Sequence, residues 1–279
     1  MLAAHVSLTQ QPLPVLRELA RRALVSGDPQ EKTAILLNPD GLSVVLSPAT
    51  QQALAAQAGE VVPAWGRYSQ VQIATPSTVA ERRLGSDKGR AVMLHAIAHI
   101  ELSAINLALD ALLRFPQMPE AFVRAWYGVA IEEVEHYGLI AARLQAMGYQ
   151  YGDFPVHTRL QDLAKRSEDD VLARMALIPR LMEAHGLDVT PGILEKFRQA
   201  RDSDSVAALE VILREEVGHV ALGDHWFRHL CAERGLPVEE TYRQLIRDYG
   251  APWPKGPLNT EARLQAGFTL AELEELLVV

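Results

Sequence analysis

Two copies of one short pattern constrain this chain more than anything else in it. They are Glu133-Val134-Glu135-His136 and Glu216-Val217-Gly218-His219. Residues three apart on a helix share a face, so each copy aims one carboxylate and one imidazole in the same direction. Both copies lie within stripes of apolar residues at helical spacing. Trp126, Val129, Ala130, Tyr137, Ile140 and Leu144 surround the first, and Leu209, Ile212, Leu213, Val220, Gly223, Phe227 and Leu230 the second. A lone Glu-x-x-His on a surface helix is ordinary solvated charge. Two of them on apolar stripes are not, because a buried charge needs a partner.

The stripes supply two more carboxylates. Glu101 falls among Leu94, Ile97, Ala98, Ala104, Ile105, Ala108 and Leu112, and Glu183 follows Pro179 by one turn. Glu101 precedes Glu133 by 32 residues and Glu183 precedes Glu216 by 33. The order lone Glu, then Glu-x-x-His, therefore occurs twice, once in each of two helical hairpins. That is the ligand set of a ferritin-like bundle: Glu101, Glu133, His136, Glu183, Glu216 and His219 around two metal ions. Four carboxylates balance two divalent cations; without metal they would raise one another's pKa and destabilise the fold. Imidazole and carboxylate without thiolate suit iron best, with manganese or a mixed manganese–iron pair as alternatives, rather than structural zinc. Two bridging ligands would leave open positions for oxygen, peroxide or substrate.

The expected fold is all-α: a ferritin-like four-helix bundle over 86–235 with a long crossover, a mostly helical N-terminal extension over 1–85, and a helical C-terminal tail over 236–279 packed on the bundle. In the extension, helices are expected over 14–25, from Asp28-Pro29, and from Ser47-Pro48 to Ala58, with a turn at Asn38-Pro39-Asp40-Gly41 and an extended stretch over 61–76. Ser86 should cap a helix to Phe115, and Pro119 should open one ending before Gly148. The aromatic linker 148–158 is the crossover. Ser167 is expected to cap a helix, with Glu168, Asp169 and Asp170 in its first turn, that stops at Gly186 and is kinked by Pro179. Thr190-Pro191 should begin a short helix, and Ser203 or Ser205 should cap the last long one, ending before Gly235. The tail should hold a helix over 238–248, a Pro-rich loop over 251–257 and a helix over 269–277, with Thr269 and Glu272 as a capping box.

Several other residues bear on the site. Glu132 and Glu215 precede the two ligand glutamates; they are surface charges, or they accept the second ring N–H of the histidine on the opposite hairpin. Tyr137 follows His136 and is the aromatic expected nearest the metals, as a packing group or as a donor of protons or electrons. His95 and His99, four apart on one face, have the spacing of a metal pair, but Glu101 lies on nearly the opposite side from His99, and they read as hydrogen-bonded histidines on the bundle's flank.

The formal net charge of −8 and pI near 5.6 argue against a general nucleic-acid-binding surface. Cys231 is the sole cysteine, so no internal disulfide can form and a reducing, cytoplasmic setting is expected. No membrane-spanning run is expected, and Met1-Leu2-Ala3-Ala4-His5 lacks a signal pattern.

The runs Arg83-Leu84-Gly85-Ser86, His95-Ala96-Ile97-Ala98-His99-Ile100-Glu101, Glu132-Glu133 with His136, Tyr151-Gly152-Asp153-Phe154-Pro155, Gly186-Leu187-Asp188-Val189-Thr190-Pro191 and Glu216-Val217-Gly218-His219-Val220 together resemble a ferritin-like bacterial family catalogued as a domain of unknown function. That superfamily includes rubrerythrins, bacterioferritins, tRNA hydroxylases and aldehyde-deformylating oxygenases. The resemblance implies the same six ligands and names no substrate. The leading expectation is an oxidoreductase using oxygen or peroxide, fed by a separate electron-donor protein. The alternatives are a ferroxidase or iron-handling protein without an organic substrate, and a structural metal bundle that binds a partner. A homodimer is compatible with all three.

Overall fold

The computed structural model describes residues 8–68, 70–74 and 84–277; the opening Met1–His5 stretch and Arg83 lie outside them. Among the described residues the protein is all-α, with no strand and one isolated bridge pairing Ile73 and Val156. The chain divides into two compact units, Met1–His157 and Thr158–Val279.

In the first unit α1 spans Leu13–Val25, α2 Pro29–Leu37, α3 Pro48–Ala56, α4 Asp87–Arg114 and α5 Glu120–Ala146. Local chemistry sets these ends. The Asp28, Ser47 and Ser86 side chains accept from the N–H groups of Gln30, Thr50 and Gly89. Gly148, at φ 80°, closes the end of α5. The third helix ends at Ala56, two residues earlier than its composition suggests. Helices α4 and α5 pack against each other as a hairpin, and α1 lies against both. Residues 101–113 of α4 are all buried, most of them apolar, with Glu101, Ser103, Asn106 and Asp110 as the polar exceptions. This corrects one expectation. By length and composition α4 is apolar enough to cross a bilayer, yet 78% of an apolar 18-residue window within it is buried in the protein.

A buried lysine ties α2 into this packing. Lys32 Nζ donates to the Ala23 carbonyl and, at 2.9 Å, to Asn106 Oδ1 on α4. Asn106 Nδ2 then donates to the Tyr68 hydroxyl at 3.2 Å.

The second unit contains α6 (Arg159–Arg166), α7 (Val171–Leu177), a π-helical segment (Ile178–Glu183), α8 (Ala184–Gln199), α9 (Ser203–Arg234), α10 (Val238–Asp248), α11 (Thr260–Gln265) and α12 (Leu270–Leu277). Helices α6 and α11 were not anticipated. Ser167 is not a helix start; it ends α6, and its hydroxyl donates to the carbonyls of Leu163 and Ala164. Asp170 caps α7 instead, accepting from Leu172 N–H at 3.0 Å. Asp202, not a serine, caps α9 through Ser205 N–H. The capping box at Thr269 and Glu272 forms as expected, and Gly235 ends α9 in the left-handed region.

Two prolines shape the strand of helices that carries Glu183. Pro179 has no N–H to donate, and the backbone widens there into a π turn rather than breaking. Gly186 does not stop the chain, nor does Pro191 begin a helix: α8 runs through both. Pro191 cannot bond the Leu187 carbonyl four residues back. Asn259 Nδ2 donates to that oxygen at 3.1 Å in its place.

The tail is locked onto the π segment by Arg180. This fully buried guanidinium lies 5.0, 4.1 and 4.4 Å from the rings of Phe227, Tyr242 and Phe268. Its Nε donates to Asp224 at 2.6 Å and its Nη2 to Glu272 at 2.5 Å. Arg228 pairs with the same two carboxylates.

Candidate metal centre

Each unit carries half of the anticipated ligand set. In the first, Glu101 on α4 and Glu133 and His136 on α5 are all buried. His136 Nδ1 lies 3.4 Å from Glu133 Oε2 and 3.7 Å from Glu101 Oε2. In the second, His219 is buried and Glu216 half-buried on α9, with His219 Nδ1 3.6 Å from Glu216 Oε2. Glu183, half-buried, is the last residue of the π segment, which packs on α9.

Two of these separations, 3.4 and 3.6 Å, fit a coordination shell, and the 3.7 Å from His136 to Glu101 lies just beyond one. A well-formed N–H···O bond spans about 2.7–3.2 Å, shorter than any of them. Two ligand atoms each about 2.1 Å from one metal stand roughly 3.0–3.6 Å apart at angles between octahedral and trigonal. The electrostatics agree. Burial works against a charged His136 ring, yet the Glu101 and Glu133 carboxylates outweigh it and push its pKa up to about 11. A proton held there does what a cation would do: it neutralises carboxylates that cannot reach water. Glu133 with His136 in the first unit, and Glu216 with His219 in the second, are each residues that could hold a metal ion.

The flanking residues take defined places. Glu132 and Glu215 are half-buried, and Glu215 accepts from Arg214 at 3.0 Å. Tyr137 is half-buried, its ring edge-on to Tyr151 at 6.0 Å. His95 and His99 are buried in the first unit, and both are hydrogen-bonded as expected. Gly152 N–H donates to His95 Nε2 at 2.8 Å, and His99 Nδ1 lies 2.8 Å from the Tyr151 hydroxyl. Burial lowers both rings to about 4, so they are neutral near pH 7. Tyr151 thus anchors a polar cluster not anticipated from the sequence. Its traces were present in the four-residue spacing of the two histidines and in the aromatic linker.

A family model described as "Protein of unknown function (DUF455)" matches residues 27–274. An uncharacterized protein of Haemophilus influenzae is 44% identical over 209 residues, covering 72% of this chain and 73% of the relative. No solved structure matches. The match over nearly the whole length places this chain in the family described as "Protein of unknown function (DUF455)".

Proposed function

We propose that this protein is a ferritin-like dinuclear metalloprotein, in which four helices bring Glu101, Glu133, His136, Glu183, Glu216 and His219 around two metal ions, and that it oxidises a substrate with dioxygen or peroxide. One observation carries the reading. The same carboxylate–imidazole pair, at the spacing of coordinating atoms, recurs on α5 and on α9. Nothing in ordinary packing asks for that arrangement twice, because a buried carboxylate is expensive unless it is paired.

Iron, or manganese in one or both positions, would supply the redox chemistry when bound. The chain's own residues would do the rest. Glu133 and His136, wholly buried, would hold their metal away from bulk water. Half-buried Glu183 and Glu216 would leave room for a small oxidant on the other side. Pro179 and the π turn give Glu183 a backbone less regular than that of the other ligands, suited to a carboxylate that changes its mode of binding. With Cys231 alone and buried, the chain has no thiolate pair for an electron-transfer centre of its own, so electrons would come from a separate donor protein in a reducing, cytoplasmic setting.

Anaerobic reconstitution with Fe(II), followed by elemental analysis and optical spectra on admitting oxygen, tests the proposal. Two metals per chain and a spectral change with oxygen are expected. At most one tightly held zinc, inert to oxygen, would overturn it. Rapid Fe(II) turnover with oxygen and no organic substrate would select the iron-handling reading instead.

A further inference from the structure

Helix α9 carries two histidines that the buried ligand set does not use. His225 and His229 lie four apart on it, and both are exposed. Residues at that spacing are neighbours on one face, with Cβ atoms about 5–6 Å apart. Glu233 follows one turn later on the same face, and its Oε1 stands 3.5 Å from His229 Nε2. That is longer than a well-formed N–H···O bond, and it suits two atoms that share one ion.

The surroundings hold these groups ready. Trp226 is 5% exposed, and both imidazoles meet its indole edge-on, with ring centres 5.1 and 5.4 Å away. A buried indole is a fixed wall, so exposed rings that pack on it have less freedom left to lose on binding. The neighbouring cations are engaged elsewhere. Arg228 pairs with Asp224 and Glu272, and Arg234 with Asp170. Among the described residues Glu233 pairs with His229.

We propose that His225, His229 and Glu233 form a further metal site, at the surface, for a divalent ion of the copper, nickel or zinc type. The donor set chooses the ion. Two imidazoles with one carboxylate favour ions late in the first transition row, by the ordinary order of affinities, whereas manganese suits carboxylate-rich sets. Three protein ligands leave the other positions to water. The site is separate from the buried ligands: His225 lies six residues beyond His219, about 9 Å of helix rise.

Equilibrium dialysis of the full-length protein against Zn(II), and titration with Ni(II) followed by tryptophan emission, test the assignment. Both histidines are exposed, so His225→Gln and His229→Gln should fold as wild type does. At about 10 µM free Zn(II) each variant should hold one ion fewer per chain than wild type. Ni(II) should quench part of the wild-type emission, because Trp226 packs against both imidazoles, and both variants should lack that part. Subtracting variant from wild type removes whatever the buried ligands hold, so the result does not depend on the centre proposed above. Equal zinc content in wild type and both variants, or identical quenching by Ni(II), would overturn the proposal.

Discussion

Gly223 stands against Pro179 so closely that a Cβ on the glycine would lie 2.3 Å from both Cβ and Cγ of the proline ring. Real atoms do not approach so near, and a proline ring cannot swing aside. Glycine on α9 is therefore the condition for the π segment to lie where it does. Gly223→Ala should destabilise the protein by about 1–3 kcal/mol, as overpacking of a rigid contact does. Because the displaced segment carries Glu183, the metal-to-protein ratio should fall as well. Urea unfolding and elemental analysis would check the two effects; wild-type values for both would show that the contact is not tight.

Metal should bind the native state alone and stabilise it. At a free ion concentration one hundred times Kd the gain is about 2.7 kcal/mol. Thermal melts of anaerobic protein with Fe(II) or Mn(II) should rise accordingly, and return to the starting value with chelator. His136→Ala should abolish the gain, because it removes the imidazole that faces both Glu101 and Glu133. An equal rise in that variant would place the binding elsewhere.

Lys32 should make stability depend on pH above neutrality. Burial pushes its amine down to about 7, with Glu31 opposing, whereas an unfolded lysine titrates near 10.4. Below about pH 7 both states hold the proton and the native state bears the full penalty of burying it. As pH rises further the native amine sheds its proton and the unfolded one keeps it, so stability climbs. Between pH 7 and 9 the unfolding free energy of wild type should gain on that of Lys32→Met by up to about 1.4 kcal/mol per pH unit. A difference flat with pH would mean that the amine stays charged inside the fold.

Asn259 should matter because of Pro191. Its amide nitrogen serves the Leu187 carbonyl that the proline leaves unbonded, and its amide oxygen caps α11. Asn259→Ala should cost about 1–2 kcal/mol. In a Pro191→Ala background the restored helix N–H would satisfy Leu187, and the cost should shrink by about 0.5–1 kcal/mol. A double-mutant cycle by denaturant unfolding measures that coupling; strict additivity would remove the explanation.

Much of the local structure was legible in the residue order, and the errors have physical causes. Ser86, Gly148, Gly235 and the Thr269–Glu272 pair act within a few residues of themselves, and each does what its chemistry implies. Ser167 and Gly186 misled for the same reason as one another. Ser167 bonds backward to Leu163 and Ala164 while Asp170 takes the cap, and Gly186 stays helical because one glycine inside a helix costs only about 1 kcal/mol. The continuation of α8 through Pro191 depends on Asn259, about seventy residues away, which no local window contains.

The candidate ligands divide along the same line. The order of residues alone determines that Glu133 shares a face with His136, and Glu216 with His219, because three residues span nearly one helical turn. That Glu101 reaches His136, that Glu183 rides on a π turn, and that Tyr151 from a linker meets His99 on α4 were decided by tertiary structure. Helical periodicity acts over a few residues and is written in the chain. The meeting of distant side chains follows from how whole helices pack, and no single stretch encodes it.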